Sequence, residues 1–139
     1  MPEEELRSYN ALNITCFSNY ETLKKSWADF GSWSKAWRKF QASSAVDEAQ
    51  EWRKLKENRV SLILESEPGF PEQLREIPWP PFGLYIKGEL LINTNPLVAI
   101  VGTRKATEHG KTLAKKFARL LSATGITIVS GLEIGRAHV

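Results

Sequence analysis

The sequence predicts an α/β protein in two parts, a small helical domain followed by the start of a domain with a parallel sheet. Two observations lead to this prediction. About the first 58 of the 139 residues carry apolar side chains at helical spacing. Between residues 97 and 129, a strand, a glycine turn, a long helix and another strand follow one another. That order is typical of a βαβ unit, whose two strands pair in parallel.

The helical part is predicted from its apolar stripes. One helix covers Tyr20 to Phe30 and ends at Gly31, and Ser32 is the N-cap of the next. A further helix is predicted over Val46 to Glu57. Three or four such helices make a small bundle of the SAM or helix-hairpin kind. The tryptophans of the second helix could stack on bases, but a core role is favoured because they lie on its apolar stripe: Trp33, Ala36, Trp37 and Phe40.

The second part begins near Arg59, where the chain becomes rich in short β-branched runs. A short helix is predicted over Pro71 to Ile77, and a long one over Thr107 to Thr124 with Gly125 as its end. Its apolar residues, which include Phe117 and Leu120, are expected to face inward, and its basic residues, Lys111, Lys115, Lys116 and Arg119, are expected to face outward. The strands are predicted over Val60–Leu64, Gly83–Gly88, Leu97–Val101 and Ile126–Val129, the last two buried on both faces.

Composition and charge narrow the functional classes. The chain has 42% apolar and 25% charged residues, as expected of a soluble globular protein. No apolar run is long enough to span a bilayer, and the acidic N-terminus is unlike a signal peptide, so we expect a cytoplasmic protein without a membrane partner. Cys16 is expected to be a buried small hydrophobic residue. Residues 96–139 carry seven basic and two acidic side chains, which fits a polyanionic partner and a solvated, lysine-rich helix face equally well.

Two glycine turns at the carboxyl ends of strands form the candidate binding site. In an open parallel sheet, ligands bind at this edge. Gly102 is expected to allow a tight turn and close backbone approach, and the next helix directs its N–H groups toward the ligand. Thr103 offers a hydroxyl, Arg104 a planar fork and Lys105 a further charge. Ser130 and Gly131 form the second turn, so the predicted site takes phosphate.

Known catalytic motifs are absent. The segment from Gly110 to Thr112 resembles the end of a Walker A loop, but Lys105 stands where that motif requires glycine. The dinucleotide fingerprint also fails, and no Cys/His cluster has metal-ligand spacing. Binding is therefore favoured over catalysis, with no catalytic residue, metal or cofactor. An enzyme on a related scaffold, such as a nucleotide phosphoribohydrolase, is the alternative.

Three sequence blocks, in order and at matching spacing, closely resemble the DprA/Smf family of DNA-processing proteins. The resemblance covers about residues 60–132, and the helical part is more weakly similar, chiefly through Phe30-Gly31-Ser32. The matching residues are Phe70-Pro71, Leu74, Ile77, Pro80-Pro81, Leu84-Tyr85 and Lys87-Gly88 in the first block, Val98 to Thr107 and Gly110 in the second, and Gly125, Ile128-Val129 and Ser130-Gly131-Leu132 in the third.

The resemblance implies a function and a site. Members of the family have an extended Rossmann-like domain that binds single-stranded DNA, protects incoming DNA in natural transformation and helps to load the RecA recombinase, usually as a homodimer. Their glycine-hydroxyl-arginine motif, matched by Gly102, Thr103 and Arg104, holds DNA phosphates. The serine-glycine turn matched by Ser130 and Gly131 lies in the same pocket. The expected division is a helical domain over 1–58 and the start of the Rossmann-like domain over 59–132.

The sequence departs from the family pattern at two places. His109 stands where the family usually has tyrosine, which is a mild change. After Leu132 the family pattern is lost, and residues 133–139 are therefore expected to be a non-native tail. We accordingly expect a truncated Rossmann-like domain without its later strands, dimer surface or any C-terminal domain.

Overall fold

The computed structural model describes residues 2–90, 96–103 and 105–131. The chain forms two compact units, Met1–Leu90 and Leu91–Val139. The first unit contains α1 (Glu3–Thr15), α2 (Tyr20–Phe30), α3 (Trp33–Phe40), a 3-10 turn (Gln41–Ser43), α4 (Glu48–Glu57), β1 (Val60–Leu64), α5 (Glu72–Arg75) and β2 (Gly83–Lys87). The second unit contains β3 (Leu97–Ala99), α6 (Glu108–Ala123) and β4 (Thr127–Val129). The α/β class is thereby confirmed, since helices come first and strands follow, as at the start of a Rossmann-like fold.

The core of the first unit lies between α1, α2 and α3. Trp33 and Trp37 are 3% and 4% exposed, so their predicted core role is confirmed. The ring of Tyr9 in α1 meets Trp33 edge-on, with 4.9 Å between the centroids. The predicted caps are also confirmed. Gly31 ends α2 in the left-handed region with φ of 60°, and the Ser32 hydroxyl accepts the backbone N–H of Lys35.

Helix α1 supplies polar as well as apolar residues to this core. Ala11 and Leu12 are fully buried, and Asn10 and Asn13 lie beside them with little exposure. The Tyr85 hydroxyl of β2 donates to Oδ1 of Asn10 at 2.9 Å and accepts from Nδ2 of Asn13 at 3.1 Å. Buried amides need such partners, so this tyrosine joins the strand to the helix.

Strands β1 and β2 form a two-stranded antiparallel sheet with Val60 opposite Lys87 and Leu64 opposite Gly83. Leu62 and Leu64 alternate with more exposed residues and enter the core of the first unit. Both strands thus belong to the first compact unit, and the boundary between the two units lies between residues 90 and 91. The domain limits 1–58, 59–132 and 133–139 stay predictions, and residues 132–139 lie outside the described part of the chain.

The second unit is the βαβ unit that the sequence predicts. β3 and β4 pair in parallel, with Leu97 opposite Thr127 and Ala99 opposite Val129. The expectation that both strands are buried on two faces is wrong for the described chain, because Leu97 is 43% and Val129 47% exposed. Two three-residue strands cannot cover a 16-residue helix. For the same reason Phe117 and Leu120 of α6 are more than half exposed instead of inward, and Ala118 is the residue of α6 that is fully buried.

Smaller differences have local causes. α4 begins at Glu48, two residues later than predicted, because the Asp47 side chain caps it by accepting the backbone N–H of Gln50. α5 is one turn only. Cys16 is half-buried rather than buried, since it lies in the turn where α1 ends. Within the described residues, no helix has the length and apolar character needed to cross a membrane.

Candidate functional site

The two predicted turns follow neighbouring parallel strands and so leave the sheet at the same edge. The backbone N–H of Ile100 donates to the carbonyl of Val129 at 2.9 Å, which extends the pairing one residue beyond β3. Gly102 and Thr103 follow on one strand, and Ser130 and Gly131 follow on the other. This is the edge at which open parallel sheets bind ligands.

Local hydrogen bonds shape the path from β3 into α6. The Thr103 hydroxyl accepts the backbone N–H of Lys105 at 3.1 Å, which is a side-chain turn typical of threonine. Thr107 is the N-cap of α6, and its hydroxyl accepts the N–H of Gly110 at 3.1 Å. The first N–H groups of a helix carry partial positive charge, so this end of α6 favours an anion.

A pocket of about 270 Å³ lies at this helix end. Two lysines contribute to its wall, Lys105 before the Thr107 cap and Lys111 within α6, and small side chains leave the backbone accessible. The lining residues are Ile100, Val101, Gly102, Thr103, Lys105, Ala106, Thr107, Gly110, Lys111 and Ala114. Cationic side chains next to a helix N-terminus are the features that a phosphate group needs.

The backbone of Gly102 differs from the expectation of a tight glycine turn. Its φ is not among the positive glycine values, which belong to Gly31, Gly88 and Gly125. A Cβ atom built on Gly102 would meet no atom of the described residues within 4 Å. Among the described residues, neither a positive φ nor a close contact therefore requires glycine here, and the expected close approach of a ligand to its backbone stays a prediction.

The structure brings together only some of the predicted site residues. Gly102, Thr103 and Lys105 all line the pocket, whereas Ser130 and Gly131 lie at the same sheet edge but do not line it. Arg104 lies outside the described residues. The site as a whole stays a prediction.

Lys111 is a pocket residue that sequence reasoning placed on the outer face of its helix. It lies one turn into α6, four residues after the Thr107 cap, and therefore on the side of the helix where the pocket opens. Its ammonium group lies 2.7 Å from Glu108 Oε1. The hydrogen bond from Lys111 lowers the pKa of Glu108, so this carboxylate stays charged. The spacing from the N-cap could have identified Lys111 from sequence.

No group of three His, Cys, Asp or Glu side chains with metal-binding geometry occurs among residues 2–90, 96–103 and 105–131. The polar groups that line the pocket in the described part of the chain are backbone, hydroxyl and ammonium groups, and they lie beside the apolar side chains of Ile100, Val101, Ala106 and Ala114. Such groups stabilise a negatively charged ligand by hydrogen bonds and charge.

The comparisons with known proteins agree on one family. The family model for DNA recombination-mediator protein A matches residues 61–137. Protein Smf of Synechocystis is 44% identical over 73 residues, which are 50% of this chain and 18% of that protein. Protein Smf of Borreliella burgdorferi is 30% identical over 88 residues, 61% of this chain and 28% of that protein.

The DNA processing protein DprA of Bacillus subtilis is 33% identical over 81 residues, 58% of this chain and 27% of that protein. The matched segments thus span less than a third of each relative. The family match includes both glycine turns and the pocket at the start of α6. This chain belongs to the family of DNA recombination-mediator protein A.

Proposed function

We propose that this chain binds single-stranded DNA and holds a backbone phosphate in the pocket between the turn after β3 and the start of α6. The observation that carries the proposal is the placement of Lys105 and Lys111 beside the N-terminus of α6, with open space next to Gly102. Phosphate contacts of this kind carry no sequence information, so binding should be independent of base sequence.

The wider role follows from family membership and the resemblance. We infer that the protein processes DNA in natural transformation, protects incoming single strands and assists RecA loading, and that it acts in the cytoplasm as a homodimer. The basic excess of residues 96–139 supports an extended polyanion over a single mononucleotide, because one phosphate does not need so many cations.

We further infer that the chain acts by binding and not by catalysis. Glu108 is the acidic residue closest in sequence to the pocket residues Thr107 and Lys111. Lys111 holds its carboxylate in an ion pair, and this lowers the pKa of Glu108. A carboxylate of lowered pKa at an exposed position is a poor general acid near neutral pH.

Fluorescence anisotropy with labelled single-stranded and double-stranded oligonucleotides, at several salt concentrations, tests the proposal. The variants Lys105→Gln and Lys111→Gln each remove one cation from the pocket, and Arg104→Gln tests the residue that the resemblance assigns. Each loss of a phosphate contact should flatten the plot of log K against log salt by about 0.7. Lys35→Gln, on an exposed helix face of the first unit, is the matched control and should leave binding unchanged.

Lys111→Gln also removes the pair with Glu108, but an exposed pair within one helix contributes little stability, so the fold should persist. If the chain does not bind single strands at low salt, the proposal is wrong. Hydrolysis of nucleoside monophosphates would then be measured, because the phosphoribohydrolase alternative requires it.

A further inference from the structure

Helix α6 carries a basic stripe that begins in the pocket. Lys111, Lys115 and Arg119 follow one another at intervals of four residues, and Lys116 lies beside them. At 1.5 Å per residue, the three Cα atoms of the stripe are spaced about 6 Å apart along one face of the helix. Lys111 belongs to both the pocket lining and the stripe, so the two features are continuous.

The cations beyond Lys111 have no ion-pair partner in the part of the chain that the structure describes. Salt bridges there join Glu4 to Arg38, Glu51 to Lys54, Glu3 to Lys56 and Glu108 to Lys111. Lys115, Lys116 and Arg119 take part in none of them, although the charge of Lys115 contributes to the lowered pKa of Glu108. In the first unit, in contrast, α1, α2 and α4 each mix acidic and basic residues, and Arg38 of the basic helix α3 pairs with Glu4 of α1.

Beyond Lys111, the stripe carries charges of one sign that have no ion-pair partner among the described residues, and this works against its own helix. Like charges four residues apart destabilise a helix. A polyanion bound along the stripe would reverse this effect, because each phosphate would lie between two cations. Beyond Lys111, the stripe thus has the charge of a binding surface and, within the part of the chain that the structure describes, lacks the ion pairs of a purely solvated helix.

Side chains of α6 enclose a shallow groove beside the stripe. A groove of about 370 Å³ is lined by Thr112, Lys115, Lys116, Arg119 and Leu120. Its three cations can contact phosphates, and Leu120 offers an apolar contact to a base or sugar, while the Thr112 hydroxyl donates to the backbone carbonyl of Glu108 at 2.9 Å. This mixture suits a flexible single strand, whose backbone and bases are both accessible.

We propose that Lys115, Lys116 and Arg119, the part of the basic stripe beyond Lys111, form a phosphate track. This track continues from the pocket and holds the next phosphates of the same DNA strand. This inference rests on the proposed function, because the pocket supplies the first phosphate contact. It predicts that affinity depends on strand length, since a dinucleotide, which has a single phosphate, fills the pocket alone and a longer strand also occupies the track, which reaches about 12 Å along α6 from Lys111.

The test is anisotropy with the dinucleotide dTpdT and with oligo-dT of about 20 nucleotides, using the variant with Lys115→Gln, Lys116→Gln and Arg119→Gln. Glutamine keeps the helix propensity. On the long strand we expect binding weaker by roughly tenfold or more and a salt slope smaller by about 2, from three contacts at about 0.7 each. Binding of the short strand should not change.

Two variants control for charge and folding. Lys24→Gln, Lys25→Gln and Lys35→Gln remove the same total charge from exposed positions of the first unit and should leave both affinities unchanged. Lys115→Arg, Lys116→Arg and Arg119→Lys keep the charges on α6 and should bind long DNA like the unchanged chain. Circular dichroism checks that α6 remains helical in each variant.

The outcomes separate this inference from the proposed function. If the α6 variant binds long DNA as well as the first-unit control does, or loses short and long DNA equally, the phosphate track is wrong while the pocket stands. If the unchanged chain binds neither strand, the proposed function fails, and the track fails with it.

Discussion

Gly83 and Gly102 have different surroundings, and we expect their substitution by alanine to have different effects. A Cβ atom on Gly83 would lie 2.7 Å from Cε1 of Tyr9 and 3.1 Å from Cδ2 of Leu64, whereas one on Gly102 would meet no atom within 4 Å. We expect Gly83→Ala to lower the free energy of unfolding by about 1–3 kcal/mol through overpacking. Urea unfolding followed by tryptophan fluorescence measures this change.

Gly102→Ala should leave the stability unchanged and weaken single-strand binding, because its methyl group would occupy the space left for phosphate. A tenfold loss corresponds to about 1.4 kcal/mol of binding free energy. Anisotropy titration measures the affinity, and thermal unfolding of the same sample checks the fold. Unchanged DNA binding by this variant would contradict close approach of the ligand to the backbone.

For single residues, the sequence predicts which residues line the pocket better than it predicts their backbone conformation and the direction of their side chains. The positions of Gly102, Thr103 and Lys105 in the pocket follow from a strand-glycine-helix pattern. The absence of backbone strain at Gly102 could not be read from sequence, since it depends on φ. Lys111 was assigned to the outer face because periodicity alone does not show where a pocket opens.

At the scale of elements, a carboxylate from α1 caps the N-terminus of α3. Glu5 accepts hydrogen bonds from the hydroxyls of Ser34 at 2.6 Å and Ser32 at 2.7 Å, and from the backbone N–H of Trp33 at 2.7 Å. Burial alone would raise the pKa of Glu5. The bonds from Ser34, Ser32 and Trp33 outweigh it, and the pKa is lowered.

Glu5→Gln should therefore lower the free energy of unfolding by about 1 kcal/mol at pH 7, the usual value of a helix cap. A glutamate with a pKa lowered by folding stabilises the fold when it is ionised, and this stabilisation is lost as the pH falls through the folded pKa. The difference in the free energy of unfolding between Glu5→Gln and the unchanged chain should thus shrink as the pH falls below about 4.3.

Urea unfolding at pH 7 and pH 3 measures that difference. Glu4→Gln is the control, because Glu4 pairs with Arg38 on the surface, where both side chains are well exposed and such a pair contributes little. An equal loss of stability in the two variants would show that the cap is not the cause.

The link between β2 and α1 gives another prediction at this scale. Tyr85→Phe removes the hydroxyl that donates to Oδ1 of Asn10 and accepts from Nδ2 of Asn13. Both buried side-chain atoms then lose this hydrogen bond. This should lower the free energy of unfolding by about 1–3 kcal/mol. Tyr20→Phe is the control, since within the described residues the Tyr20 hydroxyl makes no hydrogen bond and its ring stacks on Phe82. Similar losses in both variants would contradict a role for the hydroxyl.

This same link explains why α1 is hard to predict. Its buried residues include Ser8, Asn10 and Asn13, so no apolar stripe marks the helix. The strongly patterned α3 and α6, by contrast, are predicted within a residue or two. Polar burial depends on partners that lie far away in sequence, such as Tyr85, and local patterns do not contain them.

For the whole molecule, the sequence predicts the class and the order of elements but not how deeply each element is buried. The run from Leu97 to Val101 reads as a strand covered on both faces, yet the strand is short and Leu97 is exposed. Burial of a sheet requires further strands or helices over it, and an apolar run only shows that a strand can accept such a cover.

The two units should therefore differ in stability. Buried residues of the first unit extend over α1, α2, α3 and β1, while α6 buries only Ala118 completely among its described residues. Local opening costs less free energy where fewer apolar contacts are lost. We expect the amides of α6 to exchange with deuterium roughly tenfold or more faster, relative to their intrinsic rates, than those of α1 and α3.

Hydrogen-exchange mass spectrometry of the chain measures these rates, and the measurement is repeated with saturating oligo-dT. Ligand binding stabilises the unit that holds the site by an amount set by concentration and affinity. Protection in α6 should therefore rise with DNA while that of α1 stays constant. Equal protection of α1 and α6 without DNA would contradict the difference in burial. A rise in α1 alone would instead place the DNA contact in the first unit, away from the basic stripe.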